Sequence, residues 1–248
     1  GRFAFVSGIH NADRVSLPCY LYDGDEVALG VDGQPELHVA FPSIKDVVVH
    51  DSWDTIGLRG TGSNQISIEN AFVADGHVIP NSDAPMFSAA PLSRYVNLMY
   101  VNQLGVILGA TRALILAVQK RIASKFTPDR QPLKNHYRTR IEVPRAWGLY
   151  QAACSYVYET AAAADAKIFA DEPLPQELLA QVVAMSVIAP QLCREAVDGA
   201  LDIVATDQIF RSTGIDKLYS DLRVAMTHVV HRRDWLSKAS PWLDAPPN

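Results

Sequence analysis

Cysteine is scarce in this chain. Only Cys19, Cys154 and Cys193 occur, far apart, and no CxxC or Cys…His spacing accompanies them. Neither a zinc site nor a disulfide framework is therefore indicated. Each of the three sits in an apolar context, where a buried free thiol is the ordinary reading, and a reducing, cytoplasmic compartment is expected. Basic charge is short as well: 22 Lys and Arg against 27 Asp and Glu give a formal net charge of −5. A general nucleic-acid binder shows a basic face, so no nucleic-acid partner is expected. The one dense basic stretch, "RTRIEVPR", reads as a solvated helix end. Long hydrophobic runs are missing too. The longest apolar helical stretch, "VILGATRALILAV", is broken by Arg112 and is too short to span a bilayer, so no membrane partner is expected.

What is present suits a folded core. The 248 residues are 48% hydrophobic and 20% charged, enough for one large domain or two of ordinary size. Residues 1–80 read as β. "RFAFVSG" is a strand from its first residues, which implies a longer chain whose front is missing here. "SLPCYLYDG" and "EVALGVDG" end in Asp-Gly turns, "ELHVAFP" closes on proline, and "DVVVHDSW" and "QISIENAFV" follow. Ile66 and Ile68 alternate with Ser67 and Glu69, as a half-buried strand requires. Short strands at this spacing predict a small sandwich or barrel. A proline-bearing linker spans 81–92, and 93–248 then turn helical.

Four helices are expected, forming an antiparallel bundle. The first covers about Ser93–Lys125 and is apolar nearly all round, which points to burial in a bundle or an oligomer interface. The second starts near Pro144, a residue tolerated in a first helical turn, and runs through "TAAAADAKIF". The third spans about Gln176–Thr206, with Leu178, Val182, Met185, Ala189, Leu192, Ala196 and Ala200 on one face and a kink at Pro190. The fourth spans about Asp216–Trp235. The fold class is thus α+β.

The turn "GLRGTGSN" has the glycines of a phosphate loop but not its context. A P-loop needs Lys-Ser/Thr and then a helix, and a GxGxxG dinucleotide turn also needs strand-then-helix. Here Ser63-Asn64 leads into a strand. A wide hairpin, its glycines free to take positive φ, is the plain alternative.

The wider segment "SWDTIGLRGTGSNQISIENAFVADGHVIP" resembles the middle domain of the acyl-CoA dehydrogenase superfamily. In particular it is similar to the flavin-dependent two-component monooxygenase branch, of the p-hydroxyphenylacetate hydroxylase oxygenase type. "GRFAFVSGIHNADRV", "LGVILGATRALILAV" and "IFRSTGIDKLYSDLRVAMTH" resemble that branch's strand and turn, first bundle helix and closing helix. The resemblance covers nearly all of the chain, without the family's N-terminal helical domain. Ser220 stands where the family pattern has arginine, and "STGIDK" departs from its closing motif. No glutamate occupies the context in which fatty-acid dehydrogenases carry their base.

The resemblance implies a reduced flavin, FMN or FAD, delivered by a separate flavin reductase. It also implies a small-molecule substrate, aromatic or polyketide-like. The apolar first helix points to a homotetramer, or at least a dimer, built through the bundle. The resemblance places Ser7 beside flavin N5, with Phe5 against the ring and Gly8 in the adjoining turn. It puts Arg59, Thr61 and Ser63 on the flavin and substrate side, and matches Arg121 to an arginine that meets the cofactor's phosphates in a neighbouring subunit. His228 is matched to a histidine of the substrate cavity, where imidazole can hydrogen-bond or deprotonate a phenol. Asp221 and Val224 share its expected helix, and His10 is a pocket-edge residue. Each has a plainer role in reserve: Ser7 and His10 as turn residues, Phe5 as core, Arg59 to Ser63 as solvated hairpin, Arg121 as a helix-end cation and His228 as a capped or solvated ring. A metal held by His228, His231 and Asp234 is not expected, because the i, i+3, i+6 spacing drifts around a helix and offers no fourth ligand. An acyl-CoA dehydrogenase-type oxidoreductase and a non-catalytic oligomerising scaffold are the competing functions.

Overall fold

Period-two apolar patterning and glycine turns produce two small antiparallel sheets in the first half of the chain. The computed structural model describes residues 1–30, 33–80, 98 and 101–239, and separates into two units, Gly1–Phe87 and Ser88–Asn248. The expected linker, 81–92, and the expected start of the first helix lie outside the described residues.

The first unit contains β1 (Arg2–Val6), β2 (Leu17–Tyr20), β3 (Tyr22–Asp23), β4 (Glu26–Val27), β5 (Leu37–Ala40), β6 (Val47–His50), β7 (Asn64–Ile68) and β8 (Val78–Pro80). One sheet has the order β1-β7-β6, the other β2-β5-β8, and β3-β4 is a hairpin. All pairings are antiparallel. "SLPCYLYDG" is therefore two strands, β2 and β3, rather than one. The Asp-Gly signal is correct for the second: Gly24, at φ 64°, turns Asp23 back onto Glu26. Ile9, Val15, Leu17 and Ile66 are buried together, with Phe3, Val6, Ile44, Val47 and Ile68 packed on them. Each fully buried aliphatic side chain contributes about 1.5–3 kcal/mol. The alternation of Ile66 with Ser67 sends the isoleucine inward and leaves the serine hydroxyl 2.9 Å from His50 Nε2.

The second unit is built on α1 (Asn102–Ser124), α2 (Tyr137–Phe169), α3 (Gln176–Val204) and α4 (Ile215–Ala225). Its core joins Leu104, Leu114 and Val118 of α1, Ala153 and Val157 of α2, Met185, Ala189 and Val197 of α3, and Leu222 of α4. α1 is not buried all round. Leu104, Ile107, Thr111, Leu114, Ile115 and Val118 face inward, while Val106 and Leu116 are 57% and 39% exposed within the chain.

Of the two internal prolines, Pro144 sits differently from expectation. α2 begins at Tyr137, so Pro144 lies within it rather than at its start. Pro144 and Arg140 are both exposed, so water can take the hydrogen bond that the missing N–H forfeits. α3 continues through buried Pro190 as one helix from Gln176 to Val204. Among the described residues, the helical span Gln176–Ile209, which contains α3, has a length and a mean hydropathy of 1.2 that would suffice to cross a membrane, with 56% of that window buried in the fold.

α4 is much shorter than expected. It ends at Ala225, and 3-10 turns at Val229–His231 and Arg233–Ala239 follow. Thr227 Oγ1 donates to the Val224 carbonyl at 2.7 Å, and Met226, Thr227 and His228 close the helix end with tight backbone bonds. A hydroxyl competing for helical carbonyls and the β-branched residues Thr227, Val229 and Val230 disfavour another turn.

Candidate functional site

The turn of Asp51–Ser63 links β6 to β7, so it is a hairpin loop with strands on both sides, unlike a phosphate loop. Its glycines do not share the strain equally. Gly62 takes φ 50°, and the other left-handed residue of the turn is Leu58, also at φ 50°. These two bracket a 3-10 turn at Arg59–Thr61.

Asn64, buried at 4% exposure, anchors the loop. Its Oδ1 accepts from the backbone N–H groups of Ser52 and Trp53 at 2.9 and 2.8 Å. That fixes the carboxamide, so Nδ2 donates to His10 Nε2 at 2.8 Å. The proton of neutral His10 consequently resides on Nδ1. His10 thus belongs to the turn's own scaffold. A Cβ on Gly62 would come within 2.9 Å of His10 Cδ2, so glycine is needed there on two counts.

The same turn meets the end of β1. Ser7 Oγ lies 2.7 Å from Ser63 Oγ, Ser63 Oγ lies 2.9 Å from Thr61 Oγ1, and Thr61 Oγ1 donates to the Leu58 carbonyl at 2.8 Å. Gly8 N–H donates to the Thr61 carbonyl at 3.3 Å, and Gly8 is left-handed at φ 76°. The pairing of β1 with β7 shifts register between Phe3 and Val6. Within that irregularity Phe5 adopts φ 60°, strained for an aromatic residue, and its side chain is 75% exposed. Its ring meets Trp53 edge to face at 6.3 Å, and Trp53 Nε1 donates to the Leu58 carbonyl at 3.1 Å. Phe5 is therefore not a core strand residue. Phe5 and Ser7 line a groove of about 560 Å3 along with Phe3, Ile9, Arg14 and Leu17. Arg59 is exposed at the tip of the turn.

Ser7, Gly8, His10, Thr61 and Ser63 thus converge, although 56 residues separate Ser7 from Ser63. Trp53, Leu58 and Asn64 complete the arrangement and went unselected in the sequence. An Asn following a glycine turn is the one cue that pointed to such a loop anchor.

In the helical unit the site residues are spread out. Asp221 is on α4, ion-paired with Lys217, and Val224 is in its last turn. His228 lies beyond the helix, capping the next 3-10 turn by accepting Val230 N–H on Nδ1 at 3.5 Å. The expected single helical stripe of Asp221, Val224 and His228 therefore does not exist. The Gln103 carboxamide is 3.2 Å from His228 Nε2. Burial pushes the His228 pKa below its ordinary value. His231 is buried, with Nδ1 2.7 Å from the Ser186 carbonyl, and burial lowers its pKa also. Among the described residues no three His, Cys, Asp or Glu side chains gather as a metal site.

Arg121 is half-buried near the end of α1 and grips Asp207 through Nε at 2.7 Å and a second nitrogen at 3.3 Å. Lys125 joins the same carboxylate at 2.9 Å. The Arg121 hydrogen bond holds the Asp207 carboxyl below its usual range, and Asp207 in turn raises Arg121. A larger cleft of about 1090 Å3 opens between α2, α3 and the segment after α4, lined by Arg145, Arg194, Asp198 and His231. None of the site residues expected from the sequence lines it.

Residues 103–233 match the family described as Acyl-CoA dehydrogenase, C-terminal domain. Over 233 residues the chain is 25% identical to the indole-3-acetate monooxygenase of Pseudomonas putida, covering 92% of this chain and 57% of that protein. It is 23% identical over 214 residues to the flavin-dependent monooxygenase, oxygenase subunit HsaA, of Rhodococcus jostii, covering 81% of this chain and 56% of that one. Among solved structures, XiaF from Streptomyces sp., in complex with FADH2 and glycerol, aligns at a TM-score of 0.84 and 22% identity. That alignment covers 100% of this chain and 65% of XiaF, and it shows the shared fold. The chain spans a little over half the length of the curated relatives it matches.

Proposed function

The chain belongs to the acyl-CoA dehydrogenase superfamily, in its flavin-dependent monooxygenase branch, and from that premise we propose that it serves as the oxygenase component of a two-component monooxygenase. It takes reduced FMN or FAD from a separate reductase and hydroxylates an aromatic or polyketide-like small molecule. The observation that carries this reading is the linked hydroxyl set of Ser7, Ser63 and Thr61 beside exposed Phe5. These residues come from opposite ends of the β unit's sequence, and the resemblance singled them out together.

The groove beside Ser7 offers a flat heteroaromatic ring apolar surface from Phe3, Phe5, Ile9 and Leu17 and a hydroxyl oxygen from Ser7. Bound there, reduced flavin supplies the electrons and the oxygen chemistry. Ser7 would hydrogen-bond the edge of the flavin ring, and Phe5 would pack on the ring. Thr61 and Ser63 support Ser7, Arg59 meets an anionic group, and His10 braces the pocket edge through Asn64. In the helical unit His228 orients or deprotonates the substrate hydroxyl, with Asp221 and Val224 nearby. Burial lowers its pKa, which favours the neutral ring that a base requires. Arg121, clamped by Asp207, keeps outward N–H groups for the cofactor phosphates of a neighbouring subunit. Exposed Val106 and Leu116 on α1 support self-association of the helical unit, to a tetramer. Free thiols at Cys19, Cys154 and Cys193 suit a reducing, cytoplasmic location.

The test is an anaerobic titration of the full native chain with reduced FMN and FAD, followed by mixing with labelled oxygen and a panel of phenols and indoles. Label in a hydroxylated product is expected. Reduction of bound flavin by an acyl thioester, with no hydroxylation, would make the protein a dehydrogenase. Sedimentation as a monomer at micromolar concentration would remove the tetramer.

A further inference from the structure

We propose that Thr61 and Ser63 are positioning residues that hold Ser7 as a hydrogen-bond acceptor, so that the site selects flavin protonated at N5; this rests on the flavin reading above. The argument starts at one carbonyl. The Leu58 carbonyl can only accept, so Thr61 Oγ1, 2.8 Å away, donates to it. A hydroxyl has one proton. Thr61 Oγ1 can therefore only accept in its 2.9 Å contact with Ser63, which spends the Ser63 proton. In the 2.7 Å contact between Ser7 and Ser63, the remaining donor is Ser7. The Ser7 proton points inward, and only its oxygen lone pairs face the groove.

The anchor is well held. The Leu58 carbonyl also receives Thr61 N–H at 3.1 Å and Trp53 Nε1 at 3.1 Å. Ser63, in the middle of the chain, is buried at 7% exposure, whereas Ser7 is exposed. Thr61 is exposed like Ser7, so the polarity runs from the Leu58 carbonyl through buried Ser63 to Ser7, and whatever meets Ser7 must bring a donor.

Flavin N5 changes role with redox state. In the oxidised ring it is a bare acceptor, and in the reduced ring it is an N–H donor. An acceptor-only Ser7 bonds the reduced ring and sets lone pair against lone pair with the oxidised one. This bias suits a protein that receives reduced flavin from elsewhere and must release the oxidised form.

The experiment compares dissociation constants for reduced and oxidised flavin in the full native chain, by anaerobic titration, with the midpoint potential of bound flavin as a second readout. Thr61→Val keeps the shape but removes the relay, freeing Ser63 to donate to Ser7 and Ser7 to donate outward. The preference for reduced flavin should then fall about two- to tenfold, the worth of one neutral hydrogen bond, and the potential should drop. Thr61→Ser should keep the parent's preference. Ser63→Ala reaches the same end by a different deletion and should lower the preference as Thr61→Val does. If Ser7→Ala lowers the preference while Thr61→Val and Ser63→Ala leave it intact, the relay is overturned and the flavin site stands. A parallel loss in Thr61→Ser would trace the effect to shape and also overturn the relay. A parent chain that binds no flavin overturns this inference and the flavin reading together.

Discussion

His231 Nδ1 lies 2.7 Å from the Ser186 carbonyl, and that carbonyl is the one Pro190, four residues on, leaves without a helical donor. Proline has no N–H to offer position i−4. A histidine from the segment after α4 supplies the missing bond, and Ser186 Oγ returns one to the Val230 carbonyl at 3.0 Å. The bonding fixes the neutral tautomer with its proton on Nδ1. His231 is therefore a structural residue, and α3 passes through its proline without a buried, unpaired carbonyl.

Removing that donor should cost stability in a way that depends on Pro190. His231→Ala leaves the Ser186 carbonyl unpaired and opens space, for a loss of about 2–4 kcal/mol. Pro190→Ala restores a backbone N–H to Ser186. The double variant should recover about 1 kcal/mol relative to the sum of the single changes. Urea unfolding of all four proteins gives the coupling, and strict additivity would refute the pairing.

Stability should also fall on mild acidification. Burial lowers the His231 pKa below its ordinary 6.5, outweighing the Ser186 hydrogen bond that raises it, with nearby His228 adding to the lowering. The unfolded chain then takes up protons first, at about pH 6.5, while the folded chain does not. Above that pH the group adds no dependence; below it, stability drops until the folded pKa is passed. The urea midpoint should decline between about pH 7.5 and pH 5.5, and His231→Gln should decline less. Equal declines would assign the dependence elsewhere.

In the β unit, Asn64 is the residue on which the turn depends. Asn64→Ala strips acceptors from two backbone N–H groups and a donor from His10. A cost of about 2–4 kcal/mol is expected. Hydrogen exchange at the Ser52 and Trp53 amides should accelerate along with the loss of stability, and unchanged protection there would contradict the assignment.

Gly62 and Gly60 make a paired test. Gly62→Ala forces a Cβ at φ 50° to within 2.9 Å of His10 Cδ2, whereas a Cβ on Gly60 meets nothing within 4 Å. The first substitution should destabilise by about 1–2 kcal/mol and disturb the His10–Asn64 bond. Gly60→Ala should be close to neutral in the same thermal melt.

Ser7 and His228 should show different kinetic defects in the full native chain. Ser7→Ala should raise hydrogen peroxide release several-fold to about tenfold, as the loss of one hydrogen bond predicts. His228→Ala should leave peroxide release alone and depress hydroxylation about a hundredfold or more if the ring is a general base. Stopped-flow traces with product analysis separate the two. Parent-like behaviour in both variants would return Ser7 to a turn serine and His228 to a capping one.

The sequence by itself determined what nearest neighbours decide. Period two in "QISIENAF" and period 3.6 in α3 mark their buried faces, because burial sorts side chains by local geometry. A strand after Ser63-Asn64 already excluded a phosphate loop. Helix ends were less legible: α4 stops at Ala225 because Thr227 bonds back to Val224 and the next residues are β-branched, a competition that apolar spacing does not register. Tertiary structure alone decided the partnerships. Ser7 meets Ser63 across 56 residues, Asn64 meets His10 across 54, and His231 meets Ser186 across 45. Each bond satisfies a polar group that folding has brought near its partner or removed from water, and the need for a partner does not state its position in the chain. The inward proton of Ser7 is the furthest consequence, since it depends on a carbonyl 51 residues away, at Leu58, which the order of amino acids does not bring near.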